Sequence, residues 1–316
     1  MAMLYLSFIT LISMLFFRKR MPGRDWKTEF YARLFKRFFL AAGKKGPQWS
    51  RKVIESVPSK SSAMKRITVE EIELAKVPAQ KITPHALDTE VSRVIVYIHG
   101  GGYVTGSAKA YLAFVASVAD KSQLLTYSLD YRLSPEFPFP TPQEDCYAAI
   151  SEIAMRHPNQ QLILMGDSAG GALCISTCLH GDDSLRSRIH GLGLISPWVD
   201  PISSSGTMIS NQPNDMFTLD ILAKGYAQHI QGADPMDTRV NFSQAQLGKL
   251  PPMQIQIAGG EVFFDQIMKF SERAKAENVP TSTEVFASQF HVFQTIALHF
   301  EDSKRALASL VAFARN

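Results

Sequence analysis

The most constraining stretch of this sequence is Gly166-Asp167-Ser168-Ala169-Gly170-Gly171, which directly follows the apolar run 161–165. A G-x-S-x-G pattern between a short buried strand and a helix, here predicted over 172–179, is typical of a nucleophile elbow. Small residues beside Ser168 allow a sharp, strained turn that presents the hydroxyl above the sheet. The pattern alone also occurs in glycine-rich loops, so it needs support from elsewhere in the chain.

That support comes from a second motif, His99-Gly100-Gly101-Gly102, which follows the apolar run 93–98. The backbone N–H groups of Gly101 and Gly102, together with that of Ala169, can form an oxyanion hole. We expect His99 to brace the glycine loop rather than to react. Two such motifs, each behind a predicted strand, favour an enzyme with a serine nucleophile.

These motifs, together with the blocks Asp130-Tyr131-Arg132-Leu133-Ser134-Pro135-Glu136 and Ser196-Pro197-Trp198, resemble the hormone-sensitive-lipase-like family of α/β-hydrolases. The resemblance extends over roughly residues 65 to 316. It implies a carboxylesterase with a mostly parallel, eight-stranded sheet flanked by helices. It also implies a helical cap built from the N-terminus and an insertion. By the same resemblance, Asp130 and Arg132 form a buried pair, and Glu144 or Asp145 supports the elbow.

Hydrophobic periodicity predicts an alternation of strands and helices, which favours a parallel sheet covered on both faces. The predicted strands are 67–74, 80–84, 94–98, 124–129, 162–165, 191–195, 253–257 and 281–286. A closing helix is predicted over 293–313. We divide the chain into a hydrophobic segment (1–20), basic amphipathic cap helices (21–63) and a catalytic domain (64–316) with a cap insertion at about 200–250.

The remaining catalytic residues should follow the nucleophile in the order acid, then histidine. His291 follows the last predicted strand, whereas His299 falls inside the predicted closing helix. Glu261 directly follows a strand end and a Gly-Gly turn, and it precedes His291 by thirty residues. Asp265 is the alternative acid, and its structural interpretation is a helix N-terminal carboxylate. We predict Ser168, Glu261 and His291 as the triad.

The N-terminus is apolar over residues 1–17 and then strongly basic. Residues 18–66 carry fifteen Lys or Arg and three Asp or Glu, so this segment has a charge of +12. Because nucleic-acid motifs are missing from the sequence, a membrane surface is the better partner. The catalytic body is then cytoplasmic or membrane-associated on the cytoplasmic side. The alternative is that residues 1–17 fold back into the cap.

Residues 26–40 place an aromatic stripe, Trp26, Phe30, Leu34 and Phe38, on one helical face, with Arg33 on another. Such a stripe fits either a cap packed over the site or an interfacial helix. The cysteines Cys146, Cys174 and Cys178 form no disulfide framework or metal pattern, and we expect them in the core. No metal or cofactor is expected.

Several functions remain open from the sequence. The leading prediction is a serine carboxylesterase acting on small, short-to-medium acyl esters. A lactone hydrolase or deacetylase of the same fold is an alternative, because the ending His291–Gln294 resembles bacterial acetyl hydrolases and monoterpene ε-lactone hydrolases. A non-catalytic ligand-binding protein and a membrane-associated scaffold are less favoured, since Ser168 and His291 are both present. The oligomeric state stays open, a homodimer included.

Overall fold

The computed structural model describes residues 2–16, 21–57, 61–296 and 298–316. Its strands are β1 (Ile67–Leu74), β2 (Val77–Pro84), β3 (Arg93–Ile98), β4 (Thr126–Leu129), β5 (Gln161–Asp167), β6 (Ile189–Ile195), β7 (Met253–Ala258) and β8 (Thr281–Phe286). Its α-helices are α1 (Ala2–Phe16), α2 (Trp26–Lys45), α3 (Pro47–Glu55), α4 (Ala108–Ser122), α5 (Thr141–Arg156), α6 (Ala169–His180), α7 (Asp183–Arg188), α8 (Thr207–Ser210), α9 (Leu219–Ile230), α10 (Phe264–Ala276), α11 (Phe293–Ile296) and α12 (Glu301–Arg315).

The strands form one sheet in the order β1-β2-β4-β3-β5-β6-β7-β8. Strand β2 pairs antiparallel with β1 and β4, and every pairing from β4 through β8 is parallel. This confirms the predicted eight-stranded, mostly parallel sheet. Because the carboxyl ends of parallel strands meet at one edge, the loops after β3, β5, β7 and β8 converge there.

A hydrophobic core lies on each face of the sheet. Side chains alternate along a strand, so Val94, Val96 and Ile98 of β3 enter the core beneath α5, α6 and α10. Ile95 and Tyr97 enter the opposite core, beneath α4 and α12. The central strands are covered on both faces, which is why they read as continuous apolar runs. The three cysteines are buried free thiols, as expected.

Two helix boundaries differ from the sequence prediction. Helix α6 begins at Ala169 rather than at residue 172. Gly170 disfavours a helix by propensity, but a Cβ there would lie 2.1 Å from the carbonyl oxygen of Ile98, so only glycine fits. The single closing helix was also wrong: α11 and α12 are separate helices. His299 lies between them, with its ring 4.8 Å from that of Phe300.

The buried residues of α2 differ from the aromatic stripe predicted over residues 26–40. Leu34 and Phe38 are buried, but Trp26 is 57% exposed and so does not belong to a packed face. Arg33, predicted on the polar face, is buried in an ion pair with Glu29 at 2.6 Å. The reason is that α2 contacts α1, α3 and α9, so its buried sector is wider than one apolar stripe. Within the described residues, no helix is both long and apolar enough to cross a membrane.

Candidate active site

Ser168 occupies the turn between β5 and α6. Its backbone has φ +52° and ψ −120°, which is a strained conformation for a residue with a side chain. Two hydrogen bonds hold the turn: the Ser168 N–H donates to the Ile195 carbonyl at 2.9 Å, and the Trp198 N–H donates to the Ser168 carbonyl at 3.0 Å. The geometry is that of the predicted elbow, with Ser168 directly before the first turn of α6.

The glycine loop after β3 lies against this elbow. Gly101 has φ +120°, and a Cβ there would lie 2.1 Å from the carbonyl oxygen of Thr105, so the position requires glycine. Gly101 and Gly102 line a cavity together with Ser168. Ala169 is the first residue of α6, where backbone N–H groups lack intrahelical partners. Gly101 and Gly102 therefore share a cavity with Ser168, and Ala169 directly follows it in the chain.

Asp167 connects the elbow to the glycine loop, a role that the sequence did not reveal. Its Oδ1 accepts hydrogen bonds from the Gly100 N–H at 3.0 Å and the Tyr97 hydroxyl at 2.7 Å. Its Oδ2 accepts one from the Tyr111 hydroxyl at 2.9 Å. Burial raises the pKa of the Asp167 carboxyl. Asp167 thus fixes the position of Gly100 relative to the neighbouring Ser168.

His99 lies beneath the glycine loop. Its ring is fully buried and stacks on Tyr131 with centroids 4.4 Å apart. Its Nδ1 donates to the Gly100 carbonyl at 2.8 Å, and its Nε2 lies 3.8 Å from Asp130 Oδ1. Burial lowers the pKa of His99. These contacts fit the expected bracing of the loop.

Glu261 and His291 are in direct side-chain contact. The Glu261 Oε2 lies 2.5 Å from His291 Nδ1, and both side chains are buried. The other oxygen, Oε1, accepts from the Ser196 hydroxyl and from the Ala258 N–H, both at 3.0 Å. Burial raises the pKa of the Glu261 carboxyl. Within the described part of the chain, His291 Nε2 has no hydrogen-bond partner.

Asp265, the alternative acid, lies elsewhere. It is in the first turn of α10, where its Oδ2 accepts a hydrogen bond from the Thr207 N–H at 2.9 Å. Its carboxylate therefore caps α8 and is exposed, rather than facing His291. The structure brings Glu261, and not Asp265, to the imidazole.

Asp215 is a second residue that the sequence did not indicate. It is buried in the insertion before α9. Its Oδ1 accepts from the His291 N–H at 3.0 Å, and its Oδ2 accepts from the Val262 N–H at 2.9 Å. One carboxylate thus joins the loop of the histidine to the loop of the acid.

Arg24 is a third residue that the sequence did not indicate. It contacts the chain shortly before Asp215 and His291. Its guanidinium is buried and donates to the carbonyls of Ser288 at 2.9 Å, Asn214 at 2.6 Å and Gln289 at 3.1 Å. The Glu29 carboxylate, which also pairs with Arg33, lies 3.5 Å from it. The sequence gave no signal for this role, because nothing in it distinguishes Arg24 from an exposed basic residue such as Lys27.

The predicted Asp130–Arg132 pair is wrong. Arg132 pairs instead with Asp145 of α5, with Nη2 and Oδ1 2.6 Å apart. Asp130 Oδ1 accepts from the Ala108 N–H at 3.0 Å, at the start of α4. A carboxylate is favoured there because a helix N-terminus presents unpaired N–H groups. Asp145, one of the two residues expected to support the elbow, therefore binds Arg132 instead.

Two cavities, of about 290 and 280 Å³, meet at Ser168. Both are also lined by Gly101, Thr105, Phe39 and Phe217. The rings of Phe39 and Phe217, 4.6 Å apart, belong to the N-terminal helices and the insertion. The larger cavity contains His291 and is otherwise mainly apolar, with lining residues Met3, Phe35, Phe38, Ile54, Val57, Phe114, Met216, Val292, Ile296 and Leu298.

A hydroxyl, an imidazole held by a carboxylate and converging N–H donors are the parts needed for acyl transfer. Among the residues described, no cluster of three or more His, Cys, Asp or Glu side chains could hold a metal ion.

The fold and this arrangement define an α/β-hydrolase: the chain belongs to the alpha/beta hydrolase fold family, whose model matches residues 95–295. Within that fold it is a carboxylic ester hydrolase of the hormone-sensitive-lipase type, as the resemblance implied.

An esterase of Acinetobacter venetianus is 28% identical over 253 residues, which cover 78% of this chain and 82% of that protein. An acetyl-hydrolase of Streptomyces hygroscopicus is 27% identical over 226 residues, covering 71% of this chain and 75% of that protein. A crystal structure of an esterase from the bacterial hormone-sensitive lipase family has a TM-score of 0.78 and 28% identity, covering 89% of this chain and 97% of that one.

Proposed function

We propose that this protein is a serine esterase that cleaves short-to-medium acyl esters through an acyl-enzyme intermediate. The observation that carries the proposal is the position of His291. Its Nδ1 is held by Glu261 at 2.5 Å, while its Nε2 is unpartnered within the described residues and its side chain lines the same cavity as Ser168. A histidine held in this way is oriented to accept a proton from a nearby hydroxyl.

In the first half-reaction, His291 removes the Ser168 proton as the oxygen attacks the ester carbonyl. Negative charge then develops on the carbonyl oxygen, and the N–H groups of Gly101, Gly102 and Ala169 stabilise it. Glu261 stabilises the imidazolium that forms on His291. The imidazolium then protonates the departing alcohol, and the acyl group remains on Ser168.

In the second half-reaction, water enters after the alcohol has left. His291 removes a proton from that water, which attacks the acyl carbonyl in the same oxyanion hole. Collapse of the intermediate returns the proton to Ser168 and releases the acid. Apart from the ester and water, every group in these two half-reactions belongs to Ser168, His291, Glu261 or the three N–H donors.

The two cavities support substrates with a limited chain on either side of the ester bond. Volumes near 290 and 280 Å³ lie at the small end of the range for small-molecule sites. The Streptomyces relative is named an acetyl-hydrolase, which favours acetyl esters as the first substrates to try.

The proposal also assigns roles to the segments outside the sheet. Residues 21–63 and the insertion at about 200–250 form the cap. The contact between Phe39 and Phe217, which both line the cavity at Ser168, supports this assignment.

The apolar and basic N-terminus brings the enzyme to a membrane surface on the cytoplasmic side.

Hydrolysis of a p-nitrophenyl ester series from acetate to palmitate tests the function. We expect an optimum at short or medium chains for the wild type, and a loss of roughly 10³-fold or more in kcat for Ser168→Ala. Ser176→Ala is the matched control, because Ser176 is also buried on α6 but lies two turns beyond the elbow. An inactive wild type would revive the ligand-binding alternative.

A further inference from the structure

The outward face of α1 is unusual for a helix on a protein surface. Its exposed large side chains are Leu4, Tyr5, Phe8, Leu11 and Ile12, and the exposed fractions run from 76% at Leu4 to 42% at Ile12. The other four follow Leu4 by one, four, seven and eight residues, so all five lie on one side of the helix. We call these five residues the apolar stripe.

The inward face of the same helix carries two hydroxyl side chains among apolar ones such as Leu6 and Ile9. Thr10 is completely buried, and its hydroxyl donates to the Leu6 carbonyl at 2.7 Å. The Ser13 hydroxyl donates to the Thr10 carbonyl at 2.8 Å. A helix that packs on a globular core normally turns polar side chains to solvent, whereas the exposed large side chains of α1 are apolar or aromatic. The orientation of α1 therefore needs an apolar partner on the outside.

We propose that the apolar stripe docks on an anionic lipid surface and that ester substrates pass from this surface into the larger cavity. Charge complementarity selects lipid as the partner. The sequence has no acidic residue before Asp25, and α1 is followed by Arg18-Lys19-Arg20. Trp26 is exposed beside Lys27, a pairing suited to the boundary between headgroups and acyl chains.

A second copy of this chain fits the stripe less well. A two-fold dimer through α1 would place the same surface of both copies in contact and so bring two basic segments together. Like charges at an interface oppose association, whereas an anionic lipid surface attracts both segments.

The route into the site follows from the position of Met3. Met3 precedes the stripe residue Leu4 on α1, and its side chain lines the larger cavity together with Ser168 and His291. Val57, which is 47% exposed, lines the same cavity. An apolar ester can thus move from the lipid past Met3 to Ser168. This step rests on the proposed esterase function, whereas docking of the stripe does not.

Vesicle flotation of the full chain tests the docking. The probe is a vesicle made of equal parts phosphatidylglycerol and phosphatidylcholine. We expect wild type to float with it and Leu4→Ser/Phe8→Ser/Leu11→Ser to float at least about tenfold less. Met155→Ser/Ile202→Ser/Ile209→Ser is the matched control, since it removes three exposed apolar side chains elsewhere and should float like wild type.

Two activity measurements separate docking from catalysis and from folding. The stripe variant should hydrolyse dissolved p-nitrophenyl acetate within about twofold of wild type, which also shows that it is folded. It should lose hydrolysis of p-nitrophenyl octanoate embedded in the vesicles in proportion to its lost flotation. Ser168→Ala should float normally and hydrolyse neither ester; if it kept its activity, the proposed function would fail while the docking stood.

Three results would overturn the inference. One is a wild type that does not float, and another is a stripe variant that floats as well as wild type. The third is a wild-type dimer in size-exclusion chromatography that the stripe variant dissociates, because the stripe would then be an interface between copies. Unchanged hydrolysis of the embedded ester by a non-floating variant would overturn the entry route alone.

Discussion

Asp215 contacts His291 through the backbone: its Oδ1 accepts the His291 N–H at 3.0 Å, while Glu261 contacts the ring of the same residue. The second oxygen of Asp215 accepts the N–H of Val262, the residue after Glu261. Asp215 therefore sets the distance between two loops whose side chains must meet. It is a positioning residue, because it acts through Glu261 and His291.

Asp215→Asn should lower kcat about ten- to a hundredfold and change KM less than about twofold. The amide keeps one acceptor, but its NH₂ group faces a backbone N–H, so one of the two loops loses its partner. Steady-state kinetics with p-nitrophenyl butyrate give both constants. Asp220→Asn, at an exposed carboxylate of α9 paired with Lys224, is the control. A raised KM with unchanged kcat would show that Asp215 acts on binding instead.

Glu261→Gln should lower kcat by roughly 10²- to 10⁴-fold. Glutamine can still accept the hydrogen bonds from Ser196 and Ala258, but it carries no charge to stabilise the imidazolium. Asp265→Asn should leave kcat within about twofold, since that carboxylate contacts Thr207 in α8. Both variants are measured with the same ester under saturating conditions. A larger loss in the Asp265 variant would reverse the assignment of the acid.

Arg24→Met should lower the free energy of unfolding by roughly 3–5 kcal/mol, because it leaves three carbonyl groups without their donor and removes one of the two cations beside buried Glu29. Arg24→Lys keeps the charge but not the forked geometry, so we expect an intermediate loss. Urea denaturation at neutral pH provides the values. Lys27→Met, at an exposed lysine in the first turn of α2, should change stability by less than about 0.5 kcal/mol. Equal effects at the two positions would show that the hydrogen bonds of the buried Arg24 guanidinium do not stabilise this region.

We expect the protein to lose stability in acid because of buried His229. Burial lowers its pKa to about 3. Its ring stacks on Tyr103 at 3.9 Å, and its Nδ1 and Nε2 contact Ser134 and Gln143. Between about pH 3 and the ordinary histidine value of 6.5, the unfolded chain binds more protons at this residue than the folded one. Stability therefore falls as the pH falls through that window, by roughly 2 kcal/mol between pH 6.5 and 5.

Urea denaturation at pH 7 and pH 5 checks this expectation. His229→Asn cannot take up the proton, so its stability should depend less on pH than that of wild type, although packing is lost at both values. His85→Asn removes an exposed histidine and should keep the wild-type dependence. A His229 variant with the full acid sensitivity would assign the effect to other groups.

The sheet could be predicted because its central strands β3, β5 and β6 are short, mainly apolar runs and because strands alternate with helices along the chain. Helix boundaries were harder where packing overrides propensity. Gly170 looks like a helix breaker in sequence, yet the close approach of Ile98 makes it necessary inside α6. The turn at His299 is a similar case, because aromatic contacts with Tyr31 and Phe300 hold the residue outside a helix.

The site could be predicted where chemistry leaves a local pattern. Ser168 stands in a motif, and Glu261 and His291 follow strands in the required order. Asp215 and Arg24 leave no pattern, because their partners are far away in sequence. Asp215 contacts a residue 76 positions later, and Arg24 contacts carbonyls up to 265 positions later. Such contacts depend on how the insertion and the N-terminal helices pack, which periodicity does not encode.

The Arg24 contacts bear on how this chain can be divided. A fragment of residues 64–316 would contain every strand, Ser168, Glu261 and His291. It would lack the guanidinium that holds the carbonyls of Ser288 and Gln289, and the phenylalanines of α2 that wall the cavity. Recombination or proteolysis between residues 24 and 64 would therefore separate the triad residues from the side chains that hold and enclose their site. Activity would then require the N-terminal piece to rebind as a complementing fragment.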